Sequence, residues 1–232
     1  NATQNDTATE QMKIGDIVNG FKNAISDTSA KWALLLCTVM WIGGGMGTGL
    51  GIIDFQWEFL FVEELDWDAD KFLDTKGGPI ILATMVGFLF GGFLGTKYGS
   101  RNTLLYAIVT GTVLTVIWSA ARGQWDNESF MTGAWMFWTF IWAIVGANLL
   151  ALLMSLTTKD LGGTQFSIYM TLVNVGAFVG VFLSPRILDA VDGNFPNLFL
   201  VGAAFQAMVI LVLLKIKVEQ KPESIVIETS EN

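Results

Sequence analysis

An all-α membrane protein with six transmembrane helices is the fold class that this sequence predicts, and three observations carry that reading. Charge-free runs occupy residues 32–53, 77–96, 102–121, 129–158, 161–185 and 193–214. Each reaches the roughly 20 predominantly apolar residues needed to cross a hydrocarbon core about 30 Å thick, where every backbone amide must be satisfied within the segment. Hydrophobic residues make up 52% of the 232 and mean hydropathy is +0.52, yet the net charge is -8, so the charge has to reside in loops and tails. The third observation is the sidedness of the basic residues. Six spans put both termini on one side, and nine of the 13 lysines and arginines (Lys13, Lys22, Lys31, Lys97, Arg101, Lys159, Lys215, Lys217 and Lys221) fall there, against Lys71, Lys76, Arg122 and Arg186 opposite. Basic loops stay on the cytoplasmic side, so both termini are expected to be cytoplasmic in an integral, multi-pass protein.

Several function classes drop out on composition. Acidic residues outnumber basic ones by 21 to 13, which excludes a nucleic-acid binder. There is no histidine, and the one cysteine, Cys37, sits inside the first span. Histidine chemistry, an intrachain disulfide and a cysteine zinc site are therefore excluded, and no cofactor or metal is expected. The chain starts at Asn1 without a basic stretch leading into a short apolar one, so no signal peptide is expected in these residues, and a fragment or processed chain is.

Residues 1–30 read as a cytoplasmic linker, polar up to Met12 and then alternating in the manner of a short interfacial helix up to Lys31. The first span, about 31–62, carries GGGMGTGLG at Gly43–Gly51, six glycines in nine positions, which implies either very tight packing or a flexible point. The second span, about 75–95, places Gly87, Gly91 and Gly95 on one face, where a neighbouring backbone can approach closely. The third span covers about 102–120 and the fourth about 130–156. Trp135, Trp138 and Trp142 share a face of the fourth, which suits an interfacial aromatic belt, with Trp142 deep enough to line a cavity instead. Spans at about 163–188 and 197–217 complete the bundle before an acidic cytoplasmic tail, 218–232. Sequons occur at Asn1, Asn5 and Asn127, and only Asn127 lies on the expected outer side.

Ionisable groups inside a span cost about 2.5 to 3.5 kcal/mol at the bilayer centre, so those present are functional candidates. Asp54 and Glu58 stand at i, i+4 in DFQWEF, just beyond the flexible glycines. Neighbouring carboxylates in a partly dry site can share an exchangeable proton, which is how a carrier reads a proton gradient; the alternatives are a solvated helix end, or an outer gate closed by Arg186. The candidate substrate cavity comprises Trp57, Trp142, Asn148, Gln165, Thr171, Asn174 and Gln206, polar or aromatic side chains in otherwise apolar helices; interhelical hydrogen bonding accounts equally for such groups.

The segment GGFLGTKYGSR, between the second and third spans, resembles the loop motif of the major facilitator superfamily, written G-x-L-A-D-[RK]-x-G-R-[RK]. Gly92, Leu94, Gly95, Lys97, Gly99 and Arg101 match approximately, whereas Thr96 replaces the acidic residue. Leu156–Gly176, LTTKDLGGTQFSIYMTLVNVG, is similar to the loop and helix eleven of the muropeptide-permease and acetyl-CoA-transporter branch. The resemblance implies the C-terminal half of a 6+6 bundle, with an N-terminal six-helix half as partner in the same native chain or a separate subunit. It also implies an inner latch in which Lys97 and Arg101 meet Asp160 in place of the missing acid, plain positive-inside anchoring being the alternative.

The expectation is a secondary transporter, not an enzyme, that moves a small polar solute through the lipid bilayer by alternating access, coupled to protons. A receptor or assembly subunit that keeps the fold without transporting is the rival. A membrane enzyme finds no nucleophile and base in the sequence to support it.

Overall fold

A computed structural model describes residues 28–45, 50–157 and 162–216, and all of their regular structure is helical. The expected linker over 1–27, the tail from 217 onward and Asp160 lie outside the described residues. Five helical stretches are long and apolar enough to cross a membrane: Ala69–Tyr98, Ser100–Ala120, Glu128–Ser155, Gly162–Ala190 and Phe195–Leu213.

The first expected span departs from the continuous helix read over 31–62. Its helix, α1 (Thr28–Val39), stops four residues before the glycines. Gly44, Gly45 and Gly51 then adopt φ of 89°, 147° and 103°, conformations that L side chains rarely reach. The chain leaves the helical path at Ile42 and rejoins it at Ile52, whose N–H donates to the Ile42 carbonyl at 2.8 Å. A single 3-10 turn, Asp54–Gln56, and a wide π turn, Phe59–Glu64, follow. The physical cause is the glycine run, which contributes no side-chain packing and carries the largest backbone entropy cost in a helix.

The second span begins earlier than expected. Asp68 caps α2 (Ala69–Thr75), accepting from the N–H groups of Asp70 and Lys71 at 2.8 and 3.3 Å. A π turn over Lys76–Ile80 then carries the axis into α3 (Ile81–Tyr98). Pro79 lies inside that turn; it has no N–H to donate, and its ring would clash with a regular helical carbonyl, so the wider turn accommodates it. Gly99, at φ 83°, reverses the chain into α4 (Ser100–Ala120).

Asn127 starts α5 (Glu128–Ser155), its Oδ1 accepting from the Phe130 N–H at 3.1 Å, so the sequon asparagine is engaged as a helix cap. Then come α6 (Gly162–Ala190) and α7 (Phe195–Leu213), the latter capped by Asn194. α5 is the most buried of the long helices, packed along α3 and α4; α4 also packs on α7, and α1 lies against α6 and α7.

Close backbone contact sets the α3–α5 spacing. A Cβ built on Gly87 would sit 2.5 Å from the Phe140 carbonyl oxygen, and one on Gly91 would sit 2.9 Å from the Ile144 Cα. The tryptophan-rich face of α5 turns inward, which corrects the belt reading: Trp135, Trp138 and Trp142 are at most 1% exposed. They join Trp57, Trp118, Phe61, Phe72 and Phe199 in one aromatic core, in which Trp57 stacks on Trp118 at 5.3 Å and meets Trp138 edge-on at 5.3 Å. Such pairs add about 0.5–1.5 kcal/mol each beyond the area they bury. α5 has α3, α4 and the first span around it, so a face rich in large aromatics is better buried among them than left to lipid.

Candidate functional site

A broken helix in a membrane exposes backbone amides and carbonyls that lipid cannot solvate, so neighbouring groups have to satisfy them. The buried polar residues gather at this break. Asp54, 2% exposed, accepts from the Gly45 N–H through Oδ2 at 2.8 Å and from the Trp57 indole through Oδ1 at 2.9 Å. Gln206 on α7, fully buried, donates from Nε2 to the Gly44 carbonyl at 3.3 Å.

That donation fixes the orientation of the Gln206 carboxamide, because its Oε1 must then point to the Thr115 hydroxyl, 3.1 Å away on α4. Thr115 Oγ1 also faces the Gly111 carbonyl at 2.9 Å and accepts from the Trp138 indole at 2.9 Å. One hydroxyl hydrogen serves two acceptors, so it goes to either Gln206 or Gly111. On the other flank, Gln56 donates to Ser184 Oγ at 2.9 Å, and Ser184 donates to the Ile52 carbonyl at 2.7 Å. The break is thus tied to α4, α6 and α7 by hydrogen bonds in a low-dielectric interior, where each is stronger than in water.

Trp142 closes the remaining side. Its ring lies between Gly45 and Gly111, where a Cβ would approach it to 2.5 and 2.8 Å respectively. Its Nε1, like Trp135 Nε1 and Thr139 Oγ1, has no hydrogen-bond partner among the described residues.

A cleft of about 100 Å³ lies beside the break, between the first span (Trp41, Leu50), Phe88 of α3, Gly146, Leu149 and Leu150 of α5, and Met170, Val173, Asn174 and Ala177 of α6. That volume is smaller than a whole small-molecule site, but the lining is of the same kind, mostly apolar with a placed polar group. Here the polar side chain is Asn174.

The structure therefore separates residues that the sequence grouped together. Of the cavity candidates, Asn174 lines the cleft. Thr171 is exposed one turn away, with its hydroxyl donating to the Ser167 carbonyl at 2.9 Å. Trp57, Trp142 and Gln206 are packed inside, around the break. Asn148 donates to the Gly91 carbonyl at 3.0 Å and the Ile144 carbonyl at 2.9 Å, pinning α3 to α5. Gln165 is buried at the end of α5, donating to the Tyr169 hydroxyl at 2.8 Å and the Leu156 carbonyl at 3.4 Å. Each buried amide has found backbone or hydroxyl partners, which outcompete an open cavity as surroundings for a polar group.

Among the expected outer-gate residues, Asp54 is buried while Glu58 and Arg186 are exposed. The Arg186 guanidinium turns back on its own helix, donating to the Phe182 carbonyl at 2.6 Å and lying 3.8 Å from the Phe182 ring centroid. In the loop motif, Arg101 donates from Nε to the Ile216 carbonyl at 2.7 Å and from Nη2 to the Leu213 carbonyl at 3.4 Å, at the C-terminal end of α7. A cation there meets the negative end of the helix dipole. Lys97 is exposed, its Nζ 5.1 Å from the Tyr98 ring centroid. Gly92 is exposed, and Gly95 lies against Asn148.

Sequence reasoning missed Gln56, Thr115, Ser184 and Trp41. Gln56 had a signal, lying between Asp54 and Glu58 in the same short segment. Thr115 and Ser184 had none, since a hydroxyl in an apolar helix bonds its own preceding turn as readily as a neighbour.

The family model described as Major Facilitator Superfamily matches residues 4–181. The chain belongs to the Major Facilitator Superfamily. It is 29% identical over 138 residues to the anhydromuropeptide permease of Escherichia coli strain K12 and, equally, to that of Escherichia coli O157:H7. The match covers 58% of this chain and 28% of each permease, so the chain spans well under half the length of the curated relatives it matches. No solved structure gives a significant match. Superfamily membership and the apolar helices together make this an integral, multi-pass membrane protein, similar over 138 residues to permeases.

Proposed function

We propose that the chain is a six-helix half of a secondary transporter, with the broken first span as its sixth crossing, both termini cytoplasmic, and a further six-helix half completing the carrier. Alternating access around the cleft moves a small polar solute, and Asp54 couples that movement to protons. The observation that carries the reading is the buried Asp54 carboxylate, which holds the Gly45 N–H and the Trp57 indole at the break in a helix that also walls the cleft. Protonation removes the charge that makes both hydrogen bonds strong, which loosens the glycine loop and shifts Trp41 and Leu50 at the cleft wall. Glu58, exposed one turn on, serves as the exchange partner with solvent, and Arg186 as an outer charge near the same end.

The nature of the cleft wall bears on the cargo. Asn174 is its polar side chain and no charged residue among the described ones lines it, so this half suits the uncharged part of a solute, with an amide or hydroxyl on Asn174. A sugar linked to a peptide, the cargo class that the names of the permease relatives suggest, has such a part.

The test is uptake by the complete native chain in liposomes with an imposed proton gradient. Asp54→Asn should abolish gradient-driven accumulation while leaving counterflow exchange of the solute intact, and Asn174→Ala should raise KM with the coupling retained. Unchanged accumulation by Asp54→Asn sinks the coupling assignment.

A further inference from the structure

A second recess lies between α3, α4 and α5. Phe90, Leu94, Tyr98, Tyr106, Thr110 and Phe140 line this groove of about 310 Å³. Tyr98 and Tyr106 on its rims are 53% and 70% exposed, so it opens on the surface of the bundle. From Phe90 to Tyr98 it follows about 12 Å of helix, the depth of an acyl chain's outer part below the headgroup. Apart from its tyrosine and threonine hydroxyls the lining is apolar.

The end of this groove carries a charge that no acidic side chain among the described residues neutralises. Lys97 adjoins Tyr98, its ammonium 5.1 Å from the ring centroid, and makes no ion pair among the described residues. The neighbouring cation, Arg101, is already committed to the Leu213 and Ile216 carbonyls. α4 begins at the same place with no side-chain cap on its first turn, which leaves backbone N–H groups facing the same region. A long lysine stem reaches the headgroup layer from such a position.

We propose that this groove is a binding site for an anionic phospholipid, with one acyl chain between Phe90, Tyr106 and Phe140 and the phosphate on Lys97. Charge complementarity selects this occupant over a second copy or another protein helix: a cation unpaired among the described residues, at the mouth of an apolar groove, matches a chain with an acid at one end.

Native mass spectrometry of the complete native chain, released from detergent after incubation with phosphatidylglycerol or with phosphatidylcholine, tests this. Bound phosphatidylglycerol should exceed phosphatidylcholine in the parent. Lys97→Gln should lower phosphatidylglycerol retention about fivefold, the worth of one basic residue at a membrane surface, and leave phosphatidylcholine unchanged; Lys97→Arg should keep the preference. Thr110→Trp, which fills the groove from an exposed position, should reduce both lipids. Equal retention of phosphatidylglycerol by Lys97→Gln and the parent overturns the proposal. So does a Thr110→Trp variant that keeps its lipid and changes its oligomeric mass, because the groove then takes protein.

Discussion

Replacing Gly87 with alanine adds one methyl group where α3 comes closest to the backbone of α5. That carbon would lie 2.5 Å from the Phe140 carbonyl oxygen and 2.7 Å from the Ala143 Cβ. Relieving both contacts requires α3 and α5 to separate by nearly 1 Å over several turns, because Phe140 contributes backbone and cannot swing aside. Overpacking of this kind costs about 1–3 kcal/mol. Separation also stretches the Asn148 bond to the Gly91 carbonyl, worth about 0.6 kcal/mol in a membrane. Against this, alanine is better than glycine in a helix by about 1 kcal/mol. The net expectation is a loss of about 1–2 kcal/mol. Gly92, on the same helix, supplies the control, since nothing lies within 4 Å of its added Cβ. Gly92→Ala should therefore stabilise by up to about 1 kcal/mol through the propensity term alone. Reversible unfolding in mixed micelles, followed by tryptophan fluorescence, measures both. If the two variants shift stability in the same direction, the claim that α3 and α5 meet through bare backbone at Gly87 is refuted.

Gln206→Leu should destabilise the chain by about 1–3 kcal/mol, because the Gly44 carbonyl and the Thr115 hydroxyl lose a partner in a site that lipid and water do not reach; the same unfolding assay reads it, with Gln206→Glu as the companion that keeps the acceptor and loses the donor. Arg101→Gln should release the end of α7, raising amide hydrogen exchange over residues 211–216 about fivefold, with exchange in α5 unchanged.

Spans are legible in a sequence because hydrocarbon thickness imposes a length and a composition that need no partner. The charge-free runs at 102–121 and 193–214 contain most of α4 and α7 for that reason. The break was half legible. Six glycines announce that a helix will not pack in the ordinary way, but whether the chain bends or loops out depends on who receives its carbonyls, and Gln206 lies 162 residues from Gly44. The site residues were legible as polar groups in apolar surroundings and illegible in their roles. Asn148 and Asn174 look alike in one dimension; one pins two helices together and the other faces a cleft, a difference set by which neighbour lies across from each.

By itself, then, the amino-acid order determined that the chain lives in a bilayer, roughly where its later spans run, and that Gly87, Gly91 and Gly95 share a face, all consequences of helical period and of water and lipid as solvents. Tertiary structure alone decided that the tryptophans of α5 point inward, that Asp54 and Gln206 serve a broken backbone, and that Arg101 holds the end of α7. Those outcomes turn on which groups meet, across separations from a few residues (Asp54) to more than a hundred (Gln206, Arg101), and in a medium without water an unsatisfied polar group takes whatever partner the packing places beside it.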